Sequence, residues 1–109
     1  MDRRVQLAVV LAFLLGAHLA KAQGDAKTGK AVFTKSCISC HADDGSPKEA
    51  VAKMLKVEIP NLGSADVQKK SDADLKKVVT EGYEKMKPVK GLADKDVDNV
   101  IAYVRTLKK

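Results

Sequence analysis

Cys37-Ile38-Ser39-Cys40-His41 decides how this chain is read. Two cysteines with two residues between them, and a histidine directly after, form the spacing that attaches a c-type haem. On a helical turn, residues three and four apart share a face, so Cys37, Cys40 and His41 can all point to one side. Two thiols there can form thioethers with the two vinyl groups on one edge of a porphyrin, while the neighbouring imidazole reaches the iron. The three residues depend on one another, which makes the pattern far more specific than a bare cysteine pair.

The remaining composition sharpens this by exclusion. The chain has 109 residues with two cysteines, both in the motif, and two histidines, His18 and His41. Residues 1–22 begin with Arg3 and Arg4, pass through a mostly apolar run from Leu7 to Ala17, and end in Ala20-Lys21-Ala22. That is a charged start, an apolar stretch of secretory length and a small-x-small cleavage site. The apolar run falls short of the roughly 20 residues that span a bilayer as a helix, and no cysteine stands beside the cleavage site to carry a lipid. The expectation is a cleaved signal peptide over 1–22, taking His18 with it. The mature chain is then expected in the periplasm, with no stable membrane insertion.

Loss of Arg3, Arg4, Lys21 and Asp2 with the leader leaves 17 basic and 13 acidic residues, a net charge of +4. Few arginines and almost no aromatics give nucleic acid little support as a partner. Electrostatic steering toward an acidic protein surface fits better, although most of these lysines simply solubilise the fold. Residues 23–109 make one small domain, expected to be a monomer. A chain this short builds only a modest core and usually needs a staple. One covalently tied haem would serve as both.

Along residues 23–109 the pattern is of helices and loops, without a convincing alternating strand. Asp25 opens a helix running toward Cys37, with Val32 and Phe33 on its apolar side. Ser46-Pro47-Lys48-Glu49 reads as a capped helix start, leading to a stripe of Ala50, Val51, Met54 and Leu55. Ser71 caps a third helix with Asp72 and Asp74 at its positive end, Leu75, Val78 and Val79 inward, and Gly82 as its stop. The last helix runs from about Asp94 to Leu107, with Val97, Val100, Ile101 and Val104 inward. The class is all-α, about four helices wrapped around the haem.

The iron needs a sixth ligand. With His18 gone, a second histidine within the chain is excluded, and Met54 and Met86 are the soft candidates. Met54 sits on a helical apolar stripe, where a methionine is ordinarily a gap-filler of the core. Met86 lies in the charged loop Gly82-Tyr83-Glu84-Lys85-Met86-Lys87-Pro88, where an apolar side chain has no amphipathic reason to be. Pro88 biases Lys87 toward an extended strap. Met86 is the better ligand, and His/Met ligation raises the potential of such a haem.

With these residues in hand, the chain resembles the class I c-type cytochromes, of the short bacterial kind similar to cytochromes c6 and c551. Gly29 and Phe33 resemble the family's N-terminal helix and Val100-Ile101-Ala102-Tyr103-Val104-Arg105 its C-terminal helix. The resemblance implies that the two helices cross near a right angle, with Gly29, Phe33 and Tyr103 at the contact. Pro60-Asn61-Leu62 resembles the turn whose proline carbonyl accepts a hydrogen bond from the proximal histidine, so the resemblance implies Pro60 as the group that fixes His41. It also implies Met86 as the axial methionine. Two departures stand out. The chain lacks tryptophan, leaving Tyr83 either as a haem-propionate contact or as an ordinary packing residue, and proline does not directly follow Met86.

Three functions compete for the motif. Electron transfer uses a closed coordination shell and an exposed haem edge, with Lys35, Lys85, Lys87 and Lys90 steering the chain to acidic patches on a membrane reductase or oxidase. This makes the protein a carrier and not an enzyme. A haem enzyme or gas sensor would need an open or labile sixth position, and no distal histidine or arginine near the motif supports one. Thiol-disulfide exchange leaves His41 unexplained and lacks the strand-helix-strand context. Zinc would find only three ligands, Cys37, Cys40 and His41, with no further cysteine or histidine.

Overall fold

The computed structural model describes residues 24–109, so the expected leader with His18 lies outside the described residues. Five helices follow in order: α1 (Ala26–Ser36), α2 (Glu49–Leu55), α3 (Ala65–Gln68), α4 (Asp72–Glu81) and α5 (Asp94–Thr106). The described residues form no strand, only two isolated antiparallel bridges, His41 with Pro47 and Tyr83 with Met86. The all-α expectation holds, with one short helix beyond the four expected.

Two helix starts follow their capping residues. The Asp25 carboxylate accepts from the Thr28 amide at 3.2 Å and from the Thr28 hydroxyl. Ser71 Oγ accepts from the Asp74 amide at 3.1 Å. Each gives a partner to an amide that a helix terminus otherwise leaves without one. At its other end α4 stops at Gly82, with φ +84°.

The start at Ser46 is corrected. α2 begins at Glu49 behind Lys48, and no side chain caps it. The reason is competition for the Ser46 backbone. Its amide donates to Asp44 Oδ1 at 2.9 Å, and its carbonyl accepts from the Ala42 amide at 2.8 Å. Ser46 and Pro47 are thus held extended against the residues that follow the cysteine motif. Met54 is a second correction, since it is 73% exposed and fills no gap in the core. The face of α2 that turns inward carries Ala52 instead.

The core gathers where α1 meets α5. Phe33 and Val100 are each only 1% exposed, and burying a side chain such as Phe33 stabilises by roughly 1.5–3 kcal/mol. Gly29 lets the backbones close up: a Cβ there would lie 1.8 Å from the Asn99 carbonyl oxygen on α5. The Phe33 and Tyr103 rings pack with centroids 5.2 Å apart at 57°. Gly29, Phe33 and Tyr103 therefore meet at this contact. Buried Asn99 accepts from the Asp25 amide at 2.8 Å, joining the start of α1 to α5.

α3 is the short helix that periodicity did not reveal. It is a single turn, pinned by its side chains: Val67 enters the core, and Gln68 Nε2 donates to the Leu62 and Val104 carbonyls at 2.8 and 2.9 Å. Arg105 completes the anchoring from α5. Its guanidinium donates to the Gln68 and Lys70 carbonyls and to Asp72 Oδ1.

Candidate haem site

The cysteine motif begins where α1 ends. Cys37 is the residue that closes the helix, and its amide still donates to the Phe33 carbonyl at 2.8 Å. The His41 amide then returns to the Cys37 carbonyl at 3.2 Å. One further helical turn therefore spans 37–41 and carries Cys37, Cys40 and His41. Both cysteines are free thiols and half-buried. Burial pushes the Cys37 thiol up to about 11 and lowers the basicity of the His41 imidazole, since both charged forms lose solvation.

The loop after the motif is fixed from three sides. The Lys48 amide donates to the Cys40 carbonyl at 3.0 Å, closing the pairing of 40–42 with 46–48. The Lys48 ammonium reaches across to the Ile38 carbonyl. From α5, the Tyr103 hydroxyl donates to the Asp43 carbonyl at 2.6 Å. Behind the imidazole stands Phe33, with ring centroids 6.5 Å apart. A wall of the core thus backs the motif.

His41 Nδ1 is buried and has no hydrogen-bond partner. The bond to the Pro60 carbonyl implied by resemblance is not formed, and Pro60 is itself exposed. Met86 stands on a separate strap after α4, half-buried, with its backbone paired to Tyr83. Tyr83 is 57% exposed. Sequence reasoning missed Tyr103 as the tether of the motif loop. The only signal for it was an aromatic hydroxyl on an otherwise apolar helix face, a group that ordinarily seeks a partner when buried.

A cleft of about 540 Å³ runs between α2 and residues 57–59, and one of about 400 Å³ lies beside α4 and Tyr83. Neither is lined by Cys37, Cys40, His41 or Met86. The site is defined by its donors. These fit a haem: two thiols one turn apart, an adjacent imidazole backed by the core, and a buried ring nitrogen without a partner. No group of three or more His, Cys, Asp or Glu side chains among the described residues converges as an ion cage would.

An all-α domain with this turn is a haem c domain in its architecture. Comparison with known proteins places it further. Residues 24–104 match the family model described as cytochrome c oxidase, cbb3-type, subunit III. Cytochrome c-554(547) of Halothiobacillus neapolitanus is 34% identical over 90 residues, covering 78% of this chain and 99% of that protein. Among solved structures, the KustC0563 c-type cytochrome superposes with a TM-score of 0.64 at 28% identity, covering 74% of this chain and 98% of that one. The chain belongs to the small class I c-type cytochromes, the family of haem c electron-transfer proteins. No helix among the described residues is long and apolar enough to cross a membrane.

Proposed function

We propose that this chain is an electron carrier of the periplasm, active after removal of residues 1–22 and built as a single domain over 23–109. Cys37 and Cys40 would hold the haem covalently, and His41 and Met86 would ligate its iron. When bound, the haem supplies a one-electron couple between ferric and ferrous iron. The chain's part is to tether it, exclude water and keep both axial sides filled, so that neither oxidation state demands rearrangement. The observation that carries this reading is the 37–41 turn, with its two free half-buried thiols and adjacent core-backed imidazole.

Pro60 belongs to the same reading. A buried Nδ1–H without a partner costs about 1–3 kcal/mol, and a backbone carbonyl from the 60–62 turn would relieve it and fix the ring. Lys35, Lys85, Lys87 and Lys90 would guide the monomer to acidic patches on redox partners. A membrane oxidase is one candidate, since the matching family model is described as an oxidase subunit. Steering of this kind makes transfer rates fall steeply with ionic strength, and a rate indifferent to salt would remove it.

Three measurements test the centre. Haem should resist acid-acetone extraction from the denatured protein; haem that washes out ends the covalent assignment. Met86→Ala should turn a low-spin iron high-spin and lower its potential. If Met54→Ala does so instead, the ligand is Met54. Fast, tight carbon monoxide binding by the ferrous parent protein would favour an enzyme or sensor with an open sixth position.

A further inference from the structure

The strap that carries Met86 has its shape written into its backbone. α4 ends with the Gly82 amide donating to the Val78 carbonyl at 2.9 Å. Tyr83 and Met86 then exchange both main-chain bonds, amide to carbonyl in each direction, at 2.9 Å. Glu84 and Lys85 close the turn between them, with Glu84 at φ +51°, a region that non-glycine residues seldom occupy. Beyond Pro88, the Val89 amide donates to the Val79 carbonyl at 2.9 Å and fastens the far end back onto α4.

Gly82 stands at the root of this hairpin with φ +84°. A Cβ at that position would lie 2.7 Å from the Met86 carbonyl oxygen, 2.9 Å from Pro88 Cδ and 3.0 Å from Pro88 N. Those distances are too short for a side chain, and two of the three atoms belong to main chain that cannot swing aside. We propose that Gly82 is a positioning residue for the sixth iron ligand. Its bare Cα lets residues 86–88 fold back against the end of α4, and the Tyr83–Met86 pair then presents the thioether from a hairpin that protein bonds alone hold in place. This rests on the reading of Met86 as that ligand.

The consequence concerns access to the iron. An outside ligand binds only when the strap is open, so its apparent affinity and rate follow the open fraction. A side chain at Gly82 should raise that fraction. A glycine at Glu84 should lower it, because the turn then carries no torsional penalty.

Holoprotein carrying Gly82→Ala, Glu84→Gly or Met86→Ala separates the possibilities. Three readouts are needed: the far-red charge-transfer band of ferric iron bonded to a thioether, the potential, and the rate of carbon monoxide binding to the ferrous form. Gly82→Ala should weaken the band, lower the potential and speed carbon monoxide binding by about tenfold or more, with helix content unchanged. Glu84→Gly should keep the band to a higher urea concentration than the parent. If Gly82→Ala matches the parent in all three readouts while Met86→Ala loses the band, the role of Gly82 is refuted and the ligand stands. If Met86→Ala keeps the band, the ligand assignment itself falls. Should Gly82→Ala yield no holoprotein, Glu84→Gly decides alone: a raised midpoint supports the proposal, and an unchanged one overturns it.

Discussion

The α1–α5 crossing and the loop-and-strap half of the molecule are built on opposite terms. At the crossing, side chains and close backbones interdigitate: Phe33 and Val100 are shut from solvent, and Gly29 touches α5. In the other half, residues 37–48 and 83–89 are held by main-chain bonds, two isolated bridges and single tethers such as Tyr103 to Asp43. The first region is limited by volume and the second, apart from the close approach at Gly82, by torsion. A methyl group should therefore be ruinous in one, while removing a side chain should be a gain in the other.

The largest effect tests the volume side. Gly29→Ala brings a Cβ to 1.8 Å from the Asn99 carbonyl oxygen, backbone against backbone, so the helices must part. The expected loss is about 3 kcal/mol, a fall in Tm on the order of 15 °C for a domain of this size. Thermal unfolding followed by circular dichroism measures it. A drop of a degree or two would mean that the crossing yields easily, and the contrast between the regions would collapse.

Next comes the buried amide side chain at that crossing. Asn99→Ala leaves the Asp25 amide without its partner at 2.8 Å, at an expected loss of about 2 kcal/mol, read from urea unfolding. The torsion side predicts the opposite sign. Lys56 ends α2 at φ +57°, with its own amide and that of Val57 turned back onto the Lys53 and Ala52 carbonyls. Glycine is at home in that conformation, so Lys56→Gly should stabilise by about 1 kcal/mol. A loss there would show that the end of α2, like the crossing, is limited by packing.

The same division explains what was legible. Asp25, Ser71, Gly82 and the inward stripe of α5 were readable because caps and periodicity are local and encoded in residue type. The cysteine motif was readable because its chemistry demands its spacing. Ser46 misled because Asp44, two residues earlier, captures its amide, and nothing in a linear pattern says which acceptor wins. Met54 misled because a short apolar stripe does not say which of its positions faces the core, and Ala52 took the inward one. α3 was hidden because a single turn has no period, and it is held by Gln68 reaching the Leu62 and Val104 carbonyls and by Arg105 reaching in from α5. The bond from His41 to Pro60 needed the path of the 56–62 loop, which resemblance implied and local chemistry does not determine.

The smallest effect lies at the edge of the crossing and is read through pH. The Asp25 carboxyl is held below its ordinary value of 3.8, chiefly by the Thr28 hydroxyl, then by backbone amides and the charge of Lys27. A carboxyl whose value is lower folded than unfolded contributes stability that is fully present above the unfolded value, about 3.9. That contribution drains away as pH falls through the folded value. Asp25→Asn can still accept from the Thr28 amide but has no proton to gain. The variant should therefore start slightly less stable at neutral pH and lose less than the parent on acidification to about pH 3. Asp25 is open to solvent, so the difference should be small and should shrink further in high salt. Equal losses in parent and variant would place the acid sensitivity of α1 elsewhere, leaving the Asn99 bond as what secures the start of the helix to α5.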